Sequence, residues 1–269
     1  MAVAVPNILL CGPAGLGKTH LALAVSRALN NRTLHVHVCN RELTPEAIGA
    51  LPAEWKDGDL VFLDEAHSLS RLAVEKLYPT LTEQRVTVIA ATDRPGSLPK
   101  AFKNRFGVSF VLEPYGLDDM TAIVRQRATE VNVLLTPQSA KLIARMCRGT
   151  PRKVGHCLRN LVSTVQGDTG PGADATTNPR PEYTATHIRI YRKLFEIDKN
   201  GLTKLDLSYL RCLSERPDRG TSLQVLELKL HCDKIFLLDD VEPFLVQLGL
   251  IDIDRRGRFL TPTGREYIQ

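Results

Sequence analysis

The chain has 269 residues, 43% hydrophobic and 24% charged, which gives room for one large domain or two to three small ones. It holds no run of about 18 apolar residues, which excludes a membrane span, and its apolar start, Met1–Leu10, lacks the basic stretch and cleavage site of a secretory signal. The charge, 35 basic minus 30 acidic or +5, is compatible with nucleic acid without arguing for it, and six scattered cysteines with no CxxC point to reduced thiols in a cytoplasmic protein.

In chain order, Asn7–Cys11, Thr33–Cys39, Asp59–Leu63, Arg85–Ala91 and Val108–Leu112 read as strands, with helices over His20–Asn30, Pro45–Leu51 and Leu69–Glu83. Leu60–Leu63 and Val86–Ala91 are apolar on both faces, as central parallel strands covered by helices require. The alternation predicts a doubly wound α/β layer. After Pro114 the strand signals stop. Asp118–Val131, Pro137–Cys147 and Arg152–Val165 are amphipathic helices, the second opened by Thr136 as a cap with Pro137 behind it. Gln166–Pro181, with four Gly or Pro in its first seven positions, reads as a mobile loop, and a helix over Thr186–Phe195 follows. Helices over Lys204–Glu215, Ser222–Leu230 and Leu238–Leu248, then Leu250–Asp254, a turn at Arg255–Gly257 and Arg258–Thr261, make a winged helix. The expected modules are therefore 1–112, 113–198 and 199–269.

The strongest motif is Gly12-Pro13-Ala14-Gly15-Leu16-Gly17-Lys18-Thr19, which fits G-x-x-x-x-G-K-[ST] between a strand and the helix entered at His20. Glycines let backbone N–H groups converge on phosphates, and the helix start adds a favourable field. Lys18 is expected to reach the β- and γ-phosphates of ATP and Thr19 to hold Mg²⁺. An apolar strand then delivers Asp64 and Glu65 at its C-terminal end, where such sheets bind ligands. Asp64 is expected on the Mg²⁺ shell and Glu65 on the attacking water. Thr92-Asp93 ends another apolar strand, where either side chain can orient that water. Arg105, in the basic segment Ala101–Gly107, is the candidate arginine supplied to a neighbouring subunit's phosphates. His35-x-His37-x-Cys39 puts three metal-capable side chains on one strand face, but a packed layer explains them as well and no fourth ligand is in sight. His67 reads as a supporting residue rather than a base.

The ordered set Gly12–Thr19, Asp64–His67, Thr92–Gly96, Arg105–Gly107 and Gly149–Arg152 resembles the AAA+ ATPases. The fuller strings GPAGLGKTHLA, LVFLDEAHSLS, AATDRPGSL, NRFG, LEPY and RGTPRKVGHCLRNL are similar to the RuvB family of Holliday-junction branch-migration motors, and VEPFL, GLI and RRGR extend the resemblance to the C-terminus. The resemblance implies that Thr92–Asp93 act as sensor 1, Arg105 as the trans-acting arginine and Arg152 as sensor 2. It further implies that Tyr115 and Pro151 flank the adenine, and that Arg255, Arg256 and Arg258 meet DNA phosphates from the wing. Three arginines around a glycine turn are not expected to pack in a core.

The chain also departs from the family. The sequence starts almost at the first strand, so the segment that helps bracket adenine in the family is expected to be missing, and Cys39 to Asp59 is short. Glu83 runs directly to Arg85, leaving no room for the hairpin that docks the family's partner RuvA, so a RuvA-type partner is not expected to dock that way. Asp93 stands where the family has threonine, Lys103 where it has arginine, and Gln166–Pro181 is an addition. The leading expectation is an ATP- and Mg²⁺-dependent DNA motor working as a ring, by resemblance a hexamer, in recombination and repair. Its rivals are an ATP-switched DNA-binding adaptor or loader and a nucleotide-binding scaffold subunit.

Overall fold

A computed structural model describes residues 5–30, 32–40, 42–167, 180–215 and 219–269. The chain forms two compact units, one running to Tyr115 with Thr150–Arg152 added, the other comprising Gly116–Gly149 and Lys153–Gln269.

The first unit is a five-stranded parallel sheet, built from β1 (Ile8–Cys11), α1 (Lys18–Ala28), β2 (Leu34–Val38), α2 (Pro45–Ala50), β3 (Leu60–Asp64), α3 (Arg71–Glu83), β4 (Thr87–Thr92), α4 (Lys100–Lys103) and β5 (Val108–Val111). The strand order is β2-β3-β4-β1-β5. Central β3 and β4 are buried along their length apart from Asp64, as their unbroken apolar runs predict. Side chains alternate between two cores. Leu9, Cys11, Val61, Leu63, Val88 and Ala90 pack with Val74, Leu77 and Leu81 of α3. Leu10, Leu60, Phe62, Ile89 and Ala91 pack with Ala22 and Val25 of α1. The expected strands and helices are present, with ends shifted by one or two residues. Buried Asn7 cross-links this unit: its Nδ2 donates to Leu81 O (2.9 Å) and Arg105 O (3.3 Å), and its Oδ1 accepts the Val88 N–H (2.9 Å).

The second unit holds two apolar cores. The first is formed by α5 (Leu117–Glu130), α6 (Pro137–Met146), α7 (Pro151–Thr164) and α8 (Ala185–Leu194), with a two-residue parallel pair between β6 (Leu134–Leu135) and β7 (Glu182–Tyr183). Thr136 caps α6 through the Ser139 N–H, with Pro137 in its first turn, as the sequence indicates. Most of the loop expected over Gln166–Pro181 (168–179) lies outside the described residues. The second core belongs to α9 (Lys204–Ser214), α10 (Leu223–Leu230), α11 (Lys234–Phe236), α12 (Glu242–Gln247), the antiparallel hairpin of β8 (Ile251–Asp254) and β9 (Gly257–Leu260), and α13 (Pro262–Ile268). Thr221 bridges to Arg258, setting a third segment of chain beside β9. The helix expected from Leu238 instead starts at Lys234, passes a π-helical turn at Leu237–Val241 and restarts at Glu242. The restart coincides with Pro243, which has no N–H to give a preceding turn. The closing helix α13, capped by Thr261, is an element the sequence reading lacks. The presence of two cores supports the three-module division, which we keep as a proposal. No helix among the described residues is long and apolar enough to cross a membrane.

A buried ion pair ties the two cores of this unit together. Arg148, just after α6, makes a two-pronged contact with fully buried Asp206 in α9, donates to Gly201 O (3.2 Å), and lies over the Phe244 ring (4.4 Å). Asp206 also closes the N-terminus of α9, accepting from Thr203 N (2.6 Å) and Oγ1 (2.7 Å). Asp206→Ala strands a buried guanidinium and opens the cap. It is expected to cost about 3–5 kcal/mol in urea unfolding, the range for breaking one side of a buried pair. A loss below about 1 kcal/mol, the range of an exposed pair, would show that the contact holds nothing together.

Candidate nucleotide site and wing

The nucleotide-site candidates meet at the C-terminal ends of β1, β3 and β4. Parallel register sets Cys11 beside Thr92 and Leu63 beside Ala90, so the residues that follow emerge along one edge. The Gly12 N–H continues the ladder to Thr92 O at 3.1 Å. A Cβ on Gly12 would stand 2.5 Å from Leu112 O, and Gly15, at φ +84°, would meet Thr150 Cγ2 at 2.8 Å. Only glycine allows this loop to close there. The Arg152 N–H donates to Gly15 O (3.3 Å), and the Tyr115 hydroxyl donates to Leu16 O (3.4 Å). Arg152, Pro151 and Tyr115 thus border the loop in the first unit.

Lys18 begins α1 but is buried, and its Nζ donates to Gly12 O (2.8 Å) and Pro13 O (3.1 Å) beneath the loop. Thr19 Oγ1 donates to Asp64 Oδ2 at 3.3 Å, while Asp64 Oδ1 accepts the Glu65 N–H at 3.0 Å. Glu65 leaves the strand in the left-handed region (φ 54°). The turn Ala66–Ser68 then returns His67 to the sheet edge, where its Nδ1 lies 3.3 Å from Thr92 Oγ1 and 3.3 Å from Asp93 Oδ1. His20 is exposed on the first turn of α1. These residues fit a magnesium-bound nucleoside phosphate. The helix start supplies N–H groups without partners in the helix, Lys18 supplies the cation, and a hydroxyl beside a carboxylate is the hard-oxygen pair Mg²⁺ takes.

Other candidates stand apart. Arg105 lies on its own subunit's α3, with its guanidinium 3.8 Å over the Tyr78 ring and Nη1 donating to Ala101 O (2.6 Å). His35 is bound to Asp59 (2.8 Å), and the rings of His35 and His37 tilt against Trp55. Burial, then the carboxylates of Asp64 and Glu65, push the Cys39 thiol up to about 12, so without a metal it keeps its proton.

The wing corrects one expectation. Arg255 and Arg256 are exposed, but Arg258 is not a tip residue. Its Nε donates to Glu242 Oε1 (2.9 Å) and Nη2 to Oε2 (3.3 Å), with both side chains largely buried, and the Tyr209 hydroxyl donates to the same Glu242 Oε1 (2.8 Å). The expectation that all three arginines stay out of the core fails because Glu242, sixteen residues away, supplies the counter-charge. The signal was an inward-facing acid on the preceding helix, invisible within the turn itself. Arg256 pairs with Asp254 (2.8 Å) and lies 5.2 Å over Phe259, whereas Arg255 has no ion pair among the described residues.

Comparison with known proteins agrees with both regions. Residues 8–114 match the AAA family, "ATPase family associated with various cellular activities", and residues 199–269 match the RuvB C-terminal winged helix domain. The chain is 33% identical to the Holliday junction branch migration complex subunit RuvB of Synechococcus sp. (strain CC9605), over 98% of this chain and 80% of that one. The RuvB subunit of strain CC9902 is 34% identical over the same shares. Among solved structures, the Thermotoga maritima RuvB Holliday junction branch migration motor superposes with a TM-score of 0.81 at 26% identity, covering 98% of this chain and 87% of that one.

Lys18→Ala is expected to abolish nucleotide hydrolysis, because the loop loses its only buried cation among the described residues. Glu65→Gln is expected to keep nucleotide binding and stall turnover, read by paired binding and phosphate-release assays. Wild-type turnover by Glu65→Gln would sink the assignment of Glu65 to the water.

Proposed function

The chain belongs to the RuvB family, and from that premise we propose that it is an ATP-driven DNA motor acting on Holliday junctions as a ring-shaped oligomer, a hexamer by family likeness. The observation that carries this reading is that the likeness to RuvB relatives runs through phosphate loop and wing alike, over 98% of the chain. In this reading Thr19 and Asp64 hold Mg²⁺, which when bound neutralises charge on the phosphates. Lys18 faces the β- and γ-phosphates from inside the loop, and Gly12, Pro13, Ala14, Gly15, Leu16 and Gly17 wrap them with His20 at the entrance. Glu65 polarises the attacking water, and Thr92 with Asp93 orients it. Arg152 senses the nucleotide from the start of α7, and Tyr115 and Pro151 flank the adenine. Arg105 leaves its place over Tyr78 to act on the neighbouring subunit's phosphates.

The wing meets DNA through Arg255 and Arg256, while Arg258 anchors the hairpin from within. Partner recognition is the place where this chain parts from its relatives. α3 ends at Glu83 and β4 begins at Thr87, which leaves three residues where a docking hairpin for a RuvA-type partner is needed. That observation keeps an ATP-switched adaptor or loader as the second reading. The six cysteines, all free thiols, suit a cytoplasmic setting.

The deciding experiment measures ATP hydrolysis with no DNA, linear duplex and a four-way junction, with particle images in ATP. A motor shows DNA-stimulated turnover, rings and junction movement, whereas an adaptor shows ATP-dependent DNA binding with slow turnover. Arg105→Ala is expected to bind ATP normally and hydrolyse it ~10³–10⁵-fold more slowly, the range for such arginines. Mixing it with Lys18→Ala restores some turnover if the arginine acts in trans, and no rescue in confirmed mixed rings rules that out.

Changing Arg255 and Arg256 together to alanine is expected to weaken DNA binding alike across sequences. The salt slope should flatten by up to about two units, close to −0.9 per phosphate neutralised. Basal hydrolysis should persist. An unchanged slope removes the wing from the DNA site.

A further inference from the structure

The ends of β3 and β4 hold an arrangement that the roles above leave unexplained. His67 Nδ1 lies 3.4 Å from Glu65 Oε2, 3.3 Å from Asp93 Oδ1 and 3.3 Å from Thr92 Oγ1. Thr92 Oγ1 already accepts the Arg94 N–H at 3.0 Å. Glu65 Oε2 and Asp93 Oδ1 are both shut off from solvent, and neither has a well-formed hydrogen bond among the described residues. One ring nitrogen therefore faces two buried carboxylate oxygens. Were Nδ1 to present its lone pair, three electron-rich atoms would meet with no hydrogen among them except the Thr92 hydroxyl's. With the hydrogen on Nδ1, the positive end of the N–H dipole lies within 3.4 Å of both carboxylate oxygens and offsets their repulsion, although neither contact is a well-formed hydrogen bond.

We infer that His67 is a positioning residue for hydrolysis: its Nδ1–H holds the Glu65 and Asp93 carboxylates side by side, so that the end of β4 sets where Glu65 points. The local backbone is built for this. Glu65 is left-handed, and its carbonyl accepts the Ser68 N–H (2.8 Å), so the turn carrying His67 is closed on the residue that His67 holds. The carboxylate of Asp93 gives this device its particular form. A neutral side chain there would need no donor, whereas two acids a hydrogen-bond length from one nitrogen do. The inference rests on the ATPase reading above for its catalytic consequence, but not for the tautomer.

The test uses the full-length chain with His67→Leu, which fills the space and cannot donate, and His67→Asn, whose amide N–H falls near the Nδ1 position. His67→Leu is expected to lower kcat at least about tenfold, toward the ~10²-fold that an ångström-scale misplacement costs. KM and nucleotide affinity should stay within about threefold, the mark of an interaction used in the transition state alone. His67→Asn should recover most of the loss. Asp93→Asn should lower kcat in the wild-type background but raise it in His67→Leu, because the repulsion then disappears. Independently of turnover, ¹⁵N-histidine spectra should show His67 carrying its hydrogen on Nδ1. Equal kcat for Leu and Asn variants, an Asp93→Asn effect of the same sign in both backgrounds, or an Nε2–H tautomer with bare Nδ1 each overturns the proposal. A wild-type chain that binds nucleotide but never hydrolyses it fails the ATPase reading instead, and the tautomer then decides the positioning claim alone.

Discussion

The parallel pairing of β4 with β3 on one side and β1 on the other is the constraint on which the rest of the first unit depends. Register makes Cys11, Thr92 and the end of β3 finish together, so loops far apart in sequence emerge at one edge. Nothing in the phosphate loop specifies where Asp64 must lie, and the 3.3 Å between Thr19 and Asp64 is a consequence of sheet order. The apolar runs that bury β3 and β4 are therefore as necessary to the site as its polar residues. A one-residue slip of β3 would turn Val61 and Leu63 toward α1 and lift Asp64 away from Thr19. Asn7 reinforces the pairing from the opposite end, because its side chain bonds β4, α3 and the Arg105 segment at once.

The parts legible in the sequence are those governed by local pattern. Continuous apolar runs identify β3 and β4, and the spacing from Gly12 to Thr19 identifies the loop, since each signal lies within a dozen residues. Thr136-Pro137 marks a helix start, and the same pair at Thr261-Pro262 opens α13, a local signal of the same kind. What sequence could not supply are pairings across distance. Arg258 looks like its neighbours Arg255 and Arg256 until Glu242 and Tyr209 close over it. Arg148 is a helix-end arginine until Asp206, 58 residues later, receives it. His67 is legible as a companion to Asp64-Glu65, but its meeting with Thr92 and Asp93 depends on strand order.

In the second unit two buried ion pairs do different geometric work. Arg148–Asp206 spans the gap between two apolar cores, and Glu242–Arg258 lies inside one. Neither need add net stability over well-packed apolar groups, since each charge has lost its water. Each instead admits a single arrangement, because a guanidinium displaced from its carboxylate is left buried and unpaired. Burial, with Glu242 beside it, pushes the Tyr209 hydroxyl far up, so it remains a donor throughout the range in which the protein works. The wing is thereby fixed at its base while Gly257, at φ +134°, lets the turn close on Thr221.

That division of labour bears on how firmly one subunit can grip DNA. With Arg258 committed inward and Arg256 shared with Asp254, each wing offers little more than one unencumbered cation. The chain's net charge of +5 adds only a diffuse attraction. On the proposed DNA reading, at most two phosphate contacts per wing, one of them from an arginine shared with Asp254, would make a weak site whose affinity falls steeply as salt rises. In the proposed ring, weak sites would sum through effective concentration, so the assembly would stay on DNA while any one wing lets go. A motor that steps needs this combination, because a subunit that bound tightly through three free arginines would have to break all of them at every cycle. The inward turn of Arg258 would leave one such contact out, and its pairing with Glu242 instead holds the hairpin that carries Arg255 and Arg256.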